Sequence, residues 1–221
     1  MKNPFTNFLF PERCFVCGSL GGYLCLSCQS KLPKIEFQQC FSRPSCRSGN
    51  FLDGSVSLFK YSPDIKKIIR GLKQELVSDS NICLSDWLSK EICKQKAFKT
   101  WKNEGFVFIP VPLHKVREKW RGFNQSAILL KQVCKKLDLP YREDLLIRAK
   151  QTKDQTKLKA KQRIKNMENA FIVRKDKEKL IKGKSFLLLD DVKTTGSTLK
   201  ECARALKLSG AKSVWGLTLA K

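Results

Sequence analysis

Three groups of residues in this chain have the types and spacing to do chemistry. The first is "FLLLDDVKTTGST", Phe186–Thr198, in which four apolar residues run into adjacent carboxylates, Asp190 and Asp191, and then into a small hydroxylated turn. Neighbouring like charges after a buried strand are unfavourable unless something outside the chain uses them. If the turn opens a helix, the N–H groups of Thr194, Thr195, Gly196, Ser197 and Thr198 stand unpaired at its N-terminus. There the helix dipole and the hydroxyls complete a cup for phosphate, and Gly196 lets the backbone approach closely. Asp190 and Asp191 would accept hydrogen bonds from hydroxyls of the same ligand, and ribose 5-phosphate carries both parts at about the right separation.

The second group is Cys14-x-x-Cys17 and Cys25-x-x-Cys28. Each pair can present two thiolates to one tetrahedral ion, and zinc is the expected one. Gly18 follows the second thiol, Gly21-Gly22 suits the turn of a small hairpin, and "LCLSCQSKL" can open a short helix bearing Cys25 and Cys28. Cys40 and Cys46 are alternative ligands that can replace one of the earlier pairs. Cys83, Cys93, Cys134 and Cys202 fall at apolar positions of helical segments and read as small buried hydrophobes.

A third stretch, "PVPLHKVREKWRGFNQS" from Pro110 to Ser126, gathers His114, Lys115, Arg117, Lys119 and Arg121, which can neutralise pyrophosphate or a nucleic-acid backbone. Trp120 and Phe123 are interleaved there, able to stack on bases or to pack the loop onto the domain. From Arg148 to Lys184 there are 14 Lys or Arg against 4 Asp or Glu, the densest charge feature of the chain. The whole chain carries 44 basic against 20 acidic residues, a net +24, which implies an anionic partner.

Elements that would position these groups follow from periodicity. "SVSLFKY" alternates like a strand, and "SPDIKKIIRGLK" starts a helix with Ser62 as N-cap and Pro63 first, Ile65, Ile68, Ile69 and Leu72 lining one face. A second helix spans Asn81 to Ala97, "FVFI" is a strand buried on both faces, and another helix starts near Asn124. "DLLIR" and "AFIV" are short strands flanking a polar segment. "FLLL" is a buried strand, "LKECARALKLSGA" a helix stopped by Gly210, and "SVWGLTL" a last strand. This alternation predicts a parallel sheet with helices on its faces over residues 51–221, behind a small metal-bound domain at residues 1–50. With 221 residues, two full-sized domains are not expected. No sustained apolar run resembles a signal peptide or a membrane span, so a cytoplasmic location is expected, where ten cysteines favour metal over disulfides.

Phe186–Thr198 resembles the 13-residue signature of type I phosphoribosyltransferases, which bind phosphoribosyl pyrophosphate (PRPP). The resemblance implies that the acidic pair contacts the ribose hydroxyls, that the loop holds the 5-phosphate, and that Mg²⁺ bridges hydroxyls and pyrophosphate. Lys193 stands where an apolar residue is more usual, and either alters the pocket mouth or points to solvent. Pro110-Val111-Pro112, "RGFNQ", the N-terminal CxxC pairs and the positions Arg148, Thr152, Gln155, Leu158, Arg163, Asn166 and Phe171 together resemble the ComF family of competence-associated proteins. Cys40 and Cys46 depart from a third CxxC expected there. That likeness implies a type I phosphoribosyltransferase-like α/β fold with a zinc finger, a role in bringing single-stranded DNA into the cytoplasm, and a helicase-like ATPase as partner. A working phosphoribosyltransferase with an unknown nitrogenous acceptor is the alternative.

Overall fold

The computed structural model describes residues 11–35, 40–41, 51–74, 78–113, 124–150 and 169–221. Its centre is a sheet of five strands in the order β1-β2-β7-β6-β3. These are β1 (Cys40–Phe41), β2 (Gly54–Phe59), β3 (Val107–Pro110), β6 (Ser185–Val192) and β7 (Ser213–Ala220). All neighbours are parallel except the antiparallel edge strand β1. A parallel sheet is covered on both faces, which explains why all six residues of β2 are buried although its sequence alternates. Ser55 and Ser57 are thus buried hydroxyls.

The two faces sort the side chains by parity, because successive strand residues project oppositely. Leu187, Leu189, Leu217 and Leu219 pack with helices α2 (Pro63–Gln74), α3 (Ser78–Cys93) and α5 (Gln125–Leu137). Phe186, Leu188 and Val214 pack with α6 (Ser197–Leu208) through Leu199, Cys202, Ala203 and Leu206. That second face also carries an antiparallel pair, β4 (Leu146–Arg148) with β5 (Phe171–Val173).

Helix α2 forms as its sequence dictates: Ser62 Oγ accepts from the Ile65 amide at 3.3 Å, and Ile65, Ile68, Ile69 and Leu72 are buried. The single helix expected over Asn81–Ala97 is instead two, α3 and then α4 (Lys96–Asn103). Gln95 is extended at the break, and its side chain returns to the Glu91 carbonyl at 3.1 Å. The change of direction buries Trp101, whose ring meets Trp215 edge-on at 6.1 Å. At that break Cys93 is exposed, and within α3 Cys83 is half-buried, so only Cys134 and Cys202 are the buried hydrophobes expected of all four.

The cysteine-rich segment, with its short helix α1 (Leu26–Lys31), shares the main core. Cys14, Leu24, Cys28 and Leu32 join the cluster built on α2 and the sheet. Ile35 N–H donates to Leu58 O at 3.1 Å, Lys60 N–H to Pro33 O at 2.8 Å, and Lys67 Nζ to Val16 O at 2.9 Å. Gly71 is required on α2 because the Phe15 ring lies where a Cβ would stand, 2.6 Å away. No helix of the described residues is long and apolar enough to cross a membrane.

Candidate functional site

The strand expected to end at Leu189 continues to Val192, with Asp190 in register with Thr218 and Val192 with Ala220. Both acids therefore lie within β6 at its carboxyl end, where ligands of parallel sheets bind. Strand parity points them to opposite faces. Asp191 faces α2 and α5: its Oδ2 lies 2.9 Å from Lys73 Nζ, and its Oδ1 accepts from Ser126 Oγ at 3.4 Å. Ser126 is placed by Asn124, which caps α5 by accepting from the amides of Ser126 and Ala127 and donates to Val111 O at the end of β3.

Asp190 faces the α6 side and accepts from the Asp191 amide at 2.9 Å. Burial, joined by the charge of Asp191, pushes its carboxyl up to about 7, against the opposing pull of that amide, Lys73 and Arg148. Arg148 is itself buried, and its guanidinium lies 5.5 Å from the centre of the Phe171 ring, its cross-strand partner. Cys202, buried on α6, has its thiol held up by burial and by Asp190.

Beyond β6 the chain turns through Thr194, Thr195 and Gly196 into α6. Gly196 is left-handed at φ 73°, the conformation that favours glycine, and its carbonyl accepts from Lys200 N–H at 2.9 Å. The Ser197 amide is satisfied by Thr195 Oγ1 at 3.4 Å, so it is not the open donor expected, although a hydroxyl is readily exchanged for a ligand oxygen. Among the described residues, no protein acceptor takes the amides of Thr194 and Gly196. Lys193 does not point to solvent: its ammonium donates to Ser55 Oγ on β2.

Lys73 and Ser126 were not singled out by pattern. Lys73 carries a signal nonetheless, since it continues the buried stripe Ile65, Ile69 at helical spacing, where an isolated lysine needs an anion. His114, Lys115, Arg117, Lys119, Trp120, Arg121 and Phe123 lie outside the described residues, as do Thr152, Gln155, Leu158, Arg163, Asn166, Cys46 and the side chain of Cys40.

The sulfurs of Cys14, Cys17, Cys25 and Cys28 all lie within 4.8 Å of one another. Zn–S bonds of about 2.3 Å set sulfurs about 3.8 Å apart in a tetrahedron, and Cys17 and Cys25 are separated by 3.8 Å. The Cys25 amide donates to Cys14 Sγ at 3.5 Å, and Gly18 N–H closes the first knuckle on Cys14 O at 2.8 Å. Hydrogen bonds from Ser19 lower the Cys17 thiol to about 6, whereas burial raises that of Cys28 to about 12. Four such sulfurs on two knuckles are consistent with a structural zinc site.

A parallel α/β sheet with paired acids at the carboxyl end of β6, followed by a glycine turn into a helix, defines a phosphoribosyltransferase-type domain, and residues 124–220 match the phosphoribosyl transferase domain family. The chain is 40% identical over 116 residues to Competence protein F of Haemophilus influenzae, covering 52% of this chain and 50% of that protein. The match thus spans half the length of that relative. It is 31% identical over 159 residues to DNA utilization protein YhgH of Escherichia coli K12, covering 72% of this chain and 68% of that one. With Competence protein ComFC of Bacillus subtilis it shares 29% identity over 218 residues, 89% of this chain and 83% of the relative. The chain belongs to the ComF/ComFC family.

Proposed function

We propose that this protein binds PRPP or a related ribose phosphate at the end of β6 and holds single-stranded DNA, serving DNA uptake and use in the cytoplasm. The observation that carries the reading is the pairing of Asp190 and Asp191 with the neighbouring Thr194 and Gly196 amides, which have no acceptor among the described residues. In this reading Thr194, Thr195, Gly196, Ser197 and Thr198 take the 5-phosphate. The two carboxylates take the ribose hydroxyls, and Mg²⁺, a hard cation that prefers oxygen ligands, would be held by those hydroxyls and pyrophosphate beside them. Zinc on Cys14, Cys17, Cys25 and Cys28 has a structural part. Arg117, Lys119 and Arg121 neutralise phosphate, Trp120 and Phe123 stack on bases, and the surplus between Arg148 and Lys184 strengthens the same field. The names of the relatives, competence and DNA utilization, agree with this assignment. A helicase-like competence ATPase is the protein partner this role calls for.

Thermal-shift titration with PRPP and Mg²⁺ tests the pocket. Saturation at about 100 times Kd stabilises by ~2.7 kcal/mol, and the shift disappears in the double variant Asp190→Ala, Asp191→Ala. Oligonucleotide binding followed by fluorescence anisotropy tests the second half, with affinity falling steeply as salt rises. A salt-insensitive or absent signal excludes that half. Pyrophosphate release with nitrogenous bases separates this reading from a working transferase, whose chemistry needs electrostatic stabilisation rather than a dedicated nucleophile.

A further inference from the structure

Helix α2 is held along its length by the cysteine segment, and its last turn reaches the ligand end of the sheet. Lys67 Nζ donates to Val16 O of the first knuckle at 2.9 Å, and one turn further on the Phe15 ring lies where a Cβ of Gly71 would stand. In the last turn Lys73 Nζ lies 2.9 Å from Asp191 Oδ2. Lys73 continues the stripe of Ile65 and Ile69, both buried, so a long apolar stem carries its ammonium from the core side of the helix to the end of β6. A helix braced in this way fixes where that ammonium stands.

Asp191 is thereby pinned from two sides. Lys73 approaches one carboxylate oxygen from α2, and Ser126 Oγ donates to the other at 3.4 Å from the start of α5. Ser126 is buried and set by the Asn124 cap, so this second donor is no loose surface group. A carboxylate has about four lone-pair sites, and the Asp191 side chain keeps 22% of its surface open. Held in one orientation, it can accept a ligand hydroxyl without first giving up rotamer freedom. Stability does not account for the pair, because an ion pair this exposed adds little and holding a lysine in one geometry costs entropy. Lys73 acts on the neighbouring acid as well. Burial and Asp191 push Asp190 up, and Lys73 opposes them together with the Asp191 amide and Arg148.

We infer that Lys73 is a positioning residue for the hydroxyl-bearing end of the ligand: carried by a helix braced on the cysteine knuckle, it orients the Asp191 carboxylate toward a sugar hydroxyl and offsets the charge of the acid pair. It works through Asp191 and does not itself touch the ligand. This deepens the function proposed above and rests on it.

Ribose 5-phosphate is the probe, titrated calorimetrically on both sides of about pH 7 with melting recorded alongside. The proteins are wild type, Lys73→Met, Lys73→Arg, Asp191→Asn and the double variant Lys73→Met, Asp191→Asn. Lys73→Met is expected to lose about tenfold in affinity, the worth of one charge-assisted hydrogen bond. Its affinity should also go on rising to higher pH than that of wild type, because Asp190, faced by Asp191, Lys73, Arg148 and Cys202, loses one of its two cations. A purely structural lysine would move the melting point and leave that profile unchanged. Lys73→Arg should recover most of both losses. In the Asp191→Asn background, removing Lys73 should change affinity by less than about twofold. An equal loss in both backgrounds means that Lys73 meets the ligand directly and overturns the inference. So does Lys73→Met equal to wild type in affinity and pH profile, or Lys73→Arg as weak as Lys73→Met. Each of these leaves the pocket in place, whereas wild type that does not bind ribose 5-phosphate removes pocket and inference together. Should Lys73→Met fail to fold or Asp191→Asn bind too weakly to measure, Ser126→Ala decides, since it loosens the same carboxylate from its other side: a loss of affinity supports the inference, and affinity equal to wild type overturns it.

Discussion

Lys73 Nζ stands 2.9 Å from Asp191 Oδ2, while Asp190, one residue earlier on the same strand, turns to the other face of the sheet. The acid pair is thus two different groups. Asp191 has a cation from α2 and a hydroxyl from α5, whereas Asp190 is held by an amide in a crowded, buried place. A metal-bound ligand at this strand end would meet one carboxylate already partnered by a lysine and one that resists ionisation.

Replacing Lys73 by Met is expected to cost little in stability. The pair is partly exposed, at 32% for Lys73 and 22% for Asp191. Such ion pairs contribute ~0.5–1 kcal/mol, and in a domain of this size that lowers Tm by about 1–4 °C. Denaturation at low and high salt checks the electrostatic origin, because the deficit should shrink as salt rises.

Asp190 predicts a stability that falls with rising pH. Its folded carboxyl titrates near about 7, above the unfolded value of about 3.9. Below the unfolded value both states are protonated. Between the two, the folded state keeps a proton that the unfolded chain has lost, so the contribution is lost as pH rises toward about 7. Asp190→Asn, a neutral mimic that still accepts from the Asp191 amide, should exceed wild type by about 1–3 kcal/mol at pH 8, with the gap closing toward pH 4. Urea titrations at four pH values measure it, and a gap independent of pH would count against the buried acid.

Ligand affinity should move the opposite way over the same range. A carboxylate accepts ribose hydroxyls best when ionised, so PRPP binding with Mg²⁺ is expected to tighten as pH rises through about 7 and to lose that dependence in Asp190→Asn.

At Gly71 the sign of a substitution depends on Phe15. Alanine is favoured over glycine within a helix by ~1 kcal/mol, yet a Cβ there meets the Phe15 ring at 2.6 Å. Overpacking of this kind costs ~1–3 kcal/mol. Gly71→Ala alone should destabilise, and in a Phe15→Ala background the same change should become neutral or stabilising. Additive effects in this double-mutant cycle would show that the cysteine segment does not press on α2.

Chelation should destabilise the whole molecule, not a separable knob. Cys14 and Cys28 share a core with Leu32, Val56 and Ile69, so releasing a metal from them loosens that cluster. One mole of zinc per mole of chain, and a lowered Tm for a single transition on its removal, are the expected outcomes. Cys28→Ser should reproduce them, whereas Cys134→Ser should keep its zinc.

Features set by neighbours in the chain were legible in the sequence by itself. The N-cap Ser62, the helix start near Asn124, the CxxC knuckles and the apolar strand leading into a glycine turn and a helix rest on periods of two, three or four residues, and each formed as its spacing required. What lay beyond reach was pairing across the sheet. Which element lies opposite Asp191, why Lys193 finds Ser55, why α3 and α4 separate at Gln95, and why Ser57 and Thr218 meet all depend on the strand order β1-β2-β7-β6-β3 and on what covers each face. Side-chain parity along a strand is local chemistry. The partner that parity presents is settled only when chain segments more than a hundred residues apart close on one another, and no short-range pattern records that choice.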